Sequence, residues 1–251
     1  MTVTALARPF DCERYNALVP VEAADRIVRA NNALGEMLSR AGVLFVKHGM
    51  QSRFGMALLH RHHTCHVGER MTQAPGRVND ESALVTQPLA AGTHHRPGIP
   101  WVWSVSEGEF YPMEFTTDSK AERLYHDPAN VPEAFLNEFV ELVTASPIGH
   151  LLGLAVVERA FYDTIPAESI AVEYSNIERR ASIVLARERH EVSNTIETTW
   201  AFEAIIDPML GCESQSACVT VCKCECIDDA GTHSHIHFDR HRTTPGQHNP
   251  T

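Results

Sequence analysis

The stretch RFGMALLHRHHTCHVGERM, residues 53–71, decides whether this chain is built on sheet or on helix. Read as a strand, it puts Phe54, Met56, Leu58, His60 and His62 on one face and Gly55, Ala57, Leu59, Arg61 and His63 on the other. The bulkier apolar face therefore runs on into two histidines. Side chains two positions apart on a strand are about 6.6 Å from each other, a span that two imidazoles leaning together can close onto one ion. The turn-like TCHVG then returns Glu69 beside the pair, and two histidines with one carboxylate form the donor set of non-haem iron(II) sites or of an open three-ligand zinc site. His63, Cys65 and His66 stand as reserve ligands. The competing reading makes His60 and His62 core-edge histidines bonded to backbone carbonyls, with His63 and His66 solvated in the turn.

Outward from this stretch, VEAADRIVRANNALGEMLSRAG (residues 21–42) places Ala24, Ile27, Val28, Leu34, Met37 and Leu38 on one helical stripe, with Gly42 as its stop. A second helix fits VPEAFLNEFVELVTAS (131–146), buried through Phe135, Leu136, Phe139, Val140 and Val143, with Pro132 in its first turn. GVLFVKHGM (42–50), WVWSV (101–105), IAVEYSNI (170–177) and RASIVLAR (180–187) read as strands. QPLAAGTHHRPGIP (87–100) reads as a surface loop carrying His94 and His95. Strands do not alternate regularly with the two helices, which disfavours a doubly wound parallel sheet. The expectation is an α+β fold: a mostly antiparallel sheet with a few flanking helices and a C-terminal Cys/His-rich hairpin.

Composition narrows the function. With 251 residues, 43% hydrophobic and 21% charged, the chain can form one large domain or a domain with a small appendix. A net charge of -11 and the lack of a basic stripe argue against a nucleic-acid partner. The start MTVTALARPFDCERYN has no apolar signal core, and no run approaches the roughly 20 apolar residues that span a bilayer. A soluble, cytoplasmic protein with no membrane partner is expected. Seven cysteines, an odd number in a chain of this size, point to thiols or metal thiolates rather than a disulfide framework. Most of the fifteen histidines fall in two bursts, HRHHTCH and HSHIHFDRH.

The second burst belongs to CVTVCKCECIDDAGTHSHIHFD, residues 218–239. Cys218, Cys222, Cys224 and Cys226 share one parity, and His233, His235 and His237 share another. A tight turn in DDAG would pair Cys226 with His233, Cys224 with His235 and Cys222 with His237. Opposed side chains on adjacent rungs then build a tetrahedral Cys2His2 zinc site, with copper(I) as the other metal that suits thiolates. The alternative is a disordered tail that happens to be rich in both residues. The domain reading is a core over 1–210 holding the His-rich site and a metal-binding tail over 211–251.

Other chemistry lacks its marks: there is no GxGxxG after a strand, no GxxxxGK[ST] and no GxSxG. Cys65 between His63 and His66 is a possible activated thiol. Glu107, Glu109 and Glu114 lie beside the tryptophan strand, and Glu114, between Met113 and Phe115, is the candidate catalytic general base with a raised pKa. Glu173 and Glu178 have similar standing.

LLHRH (58–62) followed by an acid, MEF (113–115), FLNEF (135–139), LLGL (151–154) and TTWAF (198–202), ahead of a Cys- and His-bearing tail, resembles a group of uncharacterised proteins common in filamentous fungi, over residues 35–240. That resemblance implies a functional strand over 58–62 and, by position, roles for Glu114 and Trp200; it implies no established activity. The functional expectation is a metal-dependent enzyme, a non-haem iron or copper oxidoreductase acting on a small organic molecule, with structural zinc at the tail. The alternatives are a zinc-dependent hydrolase and a metal-binding or interaction protein without catalysis.

Overall fold

Ten strands close on themselves in a computed structural model that describes residues 8–90, 98–126, 131–207 and 212–225. In chain order they are β1 (Phe54–Leu58), β2 (Glu69–Val78), β3 (Glu81–Ala90), β4 (Ile99–Ser106), β5 (Glu109–Thr116), β6 (Leu152–Val156), β7 (Ser169–Asn176), β8 (Ala181–Glu188), β9 (Thr195–Asp207) and β10 (Cys212–Glu225). Around the barrel the order is β1-β6-β4-β5-β2-β3-β8-β7-β10-β9. Only β2 with β5 and β7 with β10 run parallel; the other pairings are antiparallel. Sheet dominates and helices are few, as the α+β reading expects, but the sheet is a closed barrel, which leaves no free edge.

Closure rests on a short seam. β1 pairs with β6 over five positions and with β9 at Met56↔Trp200 and Ala57↔Thr199. All of β1 is buried, because one of its faces lines the barrel and the other is covered. Gly55 makes the close approach possible, since a Cβ there would lie 2.1 Å from the Trp200 carbonyl oxygen.

The N-terminal helices depart from the sequence reading. Residues 21–42 form two helices, α2 (Val21–Asn31) and the start of α3 (Leu34–Lys47), because Asn32 takes φ +48 and ends α2. Residues 43–47, read as part of a strand, continue α3: Met37, Ala41, Leu44 and Phe45 are buried at helical spacing. A short apolar run does not by itself distinguish a strand from a buried helical turn. Gly42 is no helix stop but a contact point, where a Cβ would meet Ser216 Oγ at 2.3 Å and Phe202 Cδ1 at 3.2 Å. Phe45 then packs on Phe202 at 4.8 Å and on Phe135 of α5 (Glu133–Thr144) at 5.1 Å between ring centroids, fastening α3 and α5 to the outside of the barrel. α1 (Cys12–Asn16), capped by the Asp11 carboxylate, and α4 (Ser119–His126) complete the helices.

The tail reading changes most. Residues 212–225 are the longest strand of the barrel, and at Cys222 and Cys224 both edges are taken, by Thr199 and Ile196 of β9 and by Ala171 and Glu173 of β7. No edge of β10 remains free at these two cysteines. A bulge between Thr220 and Lys223 also breaks the parity that the sequence suggested: Cys218 is exposed, whereas Cys222 and Cys224 are buried. The 210/211 boundary falls between two strands paired with each other. Cys226, His233, His235 and His237, like His94 and His95 of the expected loop, lie outside the described residues.

Gly55→Ala should open the β1/β9 seam, because the opposing atom is backbone and cannot swing aside. We expect a loss of about 2–3 kcal/mol in denaturant melts, with unchanged stability as the outcome that contradicts the seam.

Candidate functional site

β1 ends at Leu58, and residues 59–68 leave the sheet, so their backbone needs partners elsewhere. The N-terminal segment supplies most of them. Leu59 N–H donates to Leu151 O (2.7 Å), Arg61 N–H to Val19 O (2.9 Å), His62 N–H to Tyr15 Oη (3.2 Å) and Cys65 N–H to Asn16 Oδ1 (2.9 Å). Asn16 Nδ2 and the Arg61 guanidinium return bonds to Cys65 O (2.8 Å) and Asn16 O (2.6 Å). Helix α1 thus clamps the histidine segment across one end of the barrel.

His60 and His62 come together as the sequence expects, with ring centroids 4.5 Å apart, although they do so from an irregular segment rather than a strand. His60 Nδ1 lies 2.7 Å from Leu58 O, which fixes Nδ1 as the protonated nitrogen and leaves the Nε2 lone pair for another partner. Cys224 Sγ is 3.7 Å from that Nε2. His62, with a side chain 6% exposed, uses both nitrogens on carboxylates: Nδ1 at 2.7 Å from Glu173 Oε1 and Nε2 at 2.9 Å from Glu114 Oε1. One ligand atom each from His60, His62 and Glu173 falls within 4.8 Å of the others.

Electrostatics follow from burial and this pairing. Burial disfavours the charged form of His62, but the charges of Glu173 and Glu114 outweigh it and hold its pKa well above the ordinary value. Burial likewise works against ionised Glu173, yet the His62 charge and hydrogen bond pull it down to about 2. His60 is pushed down by burial and then by the His62 charge. His63, bonded to Ser182 Oγ at 3.2 Å, falls to about 4 for the same two reasons. Burial and the Glu173 charge raise the Cys222 thiol to about 12 and that of Cys224 well above its usual value.

The carboxylate that meets the two histidines is therefore a different acid from the one expected. Glu69 sits at the start of β2, accepts from His66 N–H (2.8 Å) and pairs with Arg180 (2.7 Å), so its carboxylate is spent on the surface. Glu173, from the centre of β7, and Glu114, from β5, take its place. Glu114 is buried as expected, and its Oε2 has no partner among the described residues. Glu107 and Glu178 are exposed, and Glu109 is bonded to Tyr111 (3.1 Å) and Arg8. Trp200 packs at the barrel seam and donates to Glu197 (3.2 Å). Cys65 is no activated thiol: burial raises it to about 12, and Asn16 and Cys12 surround it.

Two spaces meet at this cluster. Inside the barrel lies a cavity of about 30 Å³ lined by His60, His62, Glu114, Glu173, Gln73, Trp101, Arg159 and Tyr162, among others. Outside it, a cleft of about 440 Å³ runs along His60, His62, His63, Glu173 and Cys224 to Arg180 and Ile177. The histidines and Glu173 form the wall shared by both. Arg159 is the residue that the sequence left unremarked; AVVERAF carries no pattern that marks it.

No protein-family model, curated protein or solved structure matches the chain. Among the described residues, no helix is long and apolar enough to cross a membrane.

The pairing gives a pH signature in metal-free protein. Glu173, depressed in the folded state, contributes stability that is present above its ordinary pKa near 4.5 and lost as pH falls toward about 2. His62, raised, contributes fully below its ordinary 6.5 and loses that contribution as pH rises through its folded value. Glu173→Gln should cost about 3 kcal/mol at neutral pH, and its gap from wild type should close between pH 4.5 and 2. A gap of constant size over that window in urea melts would show that Glu173 is not ionised.

Proposed function

We propose that the chain is a metal-dependent enzyme in which His60, His62 and Glu173 hold a transition-metal ion at the inner wall of the barrel mouth. The observation that carries this reading is the convergence of three donor atoms within 4.8 Å, on buried side chains that line both a small inner cavity and a larger outer cleft. Two histidines and one carboxylate are the donor set of non-haem iron oxygenases and leave coordination positions open. His60 has the ligand's usual support, its far nitrogen fixed on a backbone carbonyl. Two atoms bound to one ion at about 2.1 Å stand about 3.0–3.4 Å apart. Nδ1 of His62 and Oε1 of Glu173, at 2.7 Å, need separate only a little to take an ion in place of the proton they share.

The favoured reaction is oxidation of a small organic molecule by iron or copper; a bound ion would supply redox chemistry and a polarised substrate oxygen. The protein's own groups divide the remaining work. Glu114 holds His62 from the far side and presents a second, unpartnered oxygen to the cavity as a proton acceptor. The cleft has the size of a small-molecule site and admits a substrate to the exposed side of the cluster. Cys224, beside His60, is the tail cysteine placed to act as a further donor. The compartment we propose is the cytoplasm.

A second reading rests on the same histidine. With both nitrogens of His62 on carboxylates, the trio can also act as a metal-free acid–base relay. Metal analysis separates the two. Protein loaded anaerobically with iron(II), or with copper(II) or zinc(II), should hold one equivalent at this site, and His60→Ala should weaken binding about 10- to 100-fold, with Glu69→Ala leaving it unchanged. Failure of the wild-type chain to retain any of the three ions would remove the metal and leave the relay.

A further inference from the structure

The floor of the barrel cavity holds a guanidinium that no carboxylate contacts directly among the described residues. β1 and β6 are antiparallel with Leu58 opposite Leu152 and Phe54 opposite Val156, so the chain leaves β6 at the end of the barrel remote from His60. Arg159 lies three residues beyond that end. Its position is fixed by Ala160 N–H donating to Asp118 Oδ2 (3.0 Å) and by Tyr162 N–H donating to Arg159 O (3.2 Å). From there the side chain reaches the cavity and is 1% exposed.

Its partners are neutral. One guanidinium nitrogen donates to Gln73 Oε1 and another to Tyr162 Oη, while the plane stacks 3.9 Å from the Trp101 ring centroid and 4.5 Å from that of Tyr162. Among the described residues its hydrogen bonds go to neutral groups and none to a carboxylate, although a buried guanidinium ordinarily has one. Nε–H of Arg159 is buried without a hydrogen-bond partner, and so is Nε1–H of Trp101, which lines the same cavity. Two unused donors beside an unpaired positive charge are the requirements of an oxyanion.

We propose that this floor binds the carboxylate of a small organic acid, received by Arg159 with Trp101 and held beside Gln73 and Tyr162. That this acid is the substrate rests on the enzyme reading above; the anion site itself does not. The cavity has room for about two water-sized bodies, which suits a carboxylate head rather than a phosphate or a sugar. The head would lie toward the floor, and the rest of the molecule would extend toward His60, His62 and Glu173, which line the opposite wall of the same space. With an ion bound as proposed above and His62 neutral, the lining of Glu114, Glu173 and Arg159 would carry one positive charge in excess, which a monocarboxylate neutralises; without the ion, His62 and Arg159 balance the two acids, and the acid is held by the unused donors of Arg159 and Trp101. An uncharged isostere would leave Arg159 unpaired. The site therefore selects acids over their amides.

The test uses the full chain with acetate and propionate as probes, against acetamide, propionamide and chloride at fixed ionic strength, read by calorimetry and by tryptophan fluorescence. Wild type should bind one acetate or propionate saturably, at least about tenfold more tightly than the amides or chloride. Gln73→Glu places a carboxylate beside Arg159 within the chain and should abolish this binding while keeping a cooperative melt. Trp101→Phe keeps the ring and removes a donor, and should weaken binding about three- to tenfold. Equal binding of acid and amide, no saturable binding to wild type, or full acetate binding by Gln73→Glu would each overturn the site. Metal content is measured on the same samples: carboxylate binding that persists in metal-free protein upholds the floor even if the metal reading fails, and its absence from metal-loaded protein rejects the floor alone.

Discussion

His62 is out of water with a carboxylate on each ring nitrogen, and the architecture of this end of the barrel serves that arrangement. Taking two carboxylates and an imidazole from water carries a desolvation cost that only short, well-aimed hydrogen bonds can offset. Those bonds come from elements far apart in the chain: Glu114 in β5, Glu173 in β7, and His62 in a segment with no strand of its own. Each must be held independently. The two acids sit on barrel strands, and the histidine segment is held by Tyr15, Asn16 and Val19 from the N-terminus. Loosening α1 would therefore be felt at His62 even though no residue of α1 carries chemistry.

The barrel is also polar along its interior in a chemical sense. One end gathers imidazoles and carboxylates, and the other holds a guanidinium stacked on aromatic rings. The two halves of the charge inventory face each other across a space too small for more than a short group. Such a tube would orient a bound asymmetric molecule by charge before any shape complementarity applies. The outer cleft, lined by Ile177, Val21 and Pro20 as well as by the histidines, lies on the other side of that wall.

An ion bound as proposed would compete with the proton for the same positions. The carboxylates that pull a proton onto His62 would also favour a cation placed between them, so the pKa pattern of the metal-free chain and the proposed ion binding would have one electrostatic origin. Cys224 shows the same coupling. Its burial keeps it a thiol, and only an ion near His60 would supply the positive charge to change that.

Local pattern carried part of this. The strand from Phe54 to Leu58, the strands around Trp101, Ile170 and Ile183 and the helix through Phe135 and Phe139 follow from side-chain period, which neighbours in the chain determine; His60 meets His62 as expected, but beyond the end of the strand that period described. Glu114 was visible as an acid between two large apolar residues. The remainder depends on contacts that period does not encode. Whether residues 43–47 are strand or helix is settled by the packing of Phe45 on Phe202, and the parity of the cysteines by a bulge between Thr220 and Lys223. Glu173 of β7, rather than Glu69, meets His62 across the barrel mouth, while Arg180 engages Glu69 outside. Arg159 enters the cavity only because the chain leaves β6 at the far end. Sequence fixes which face a side chain takes along its own strand; only closure of the sheet decides which faces meet, since the partners are joined by hydrogen bonds between residues more than a hundred positions apart in the chain.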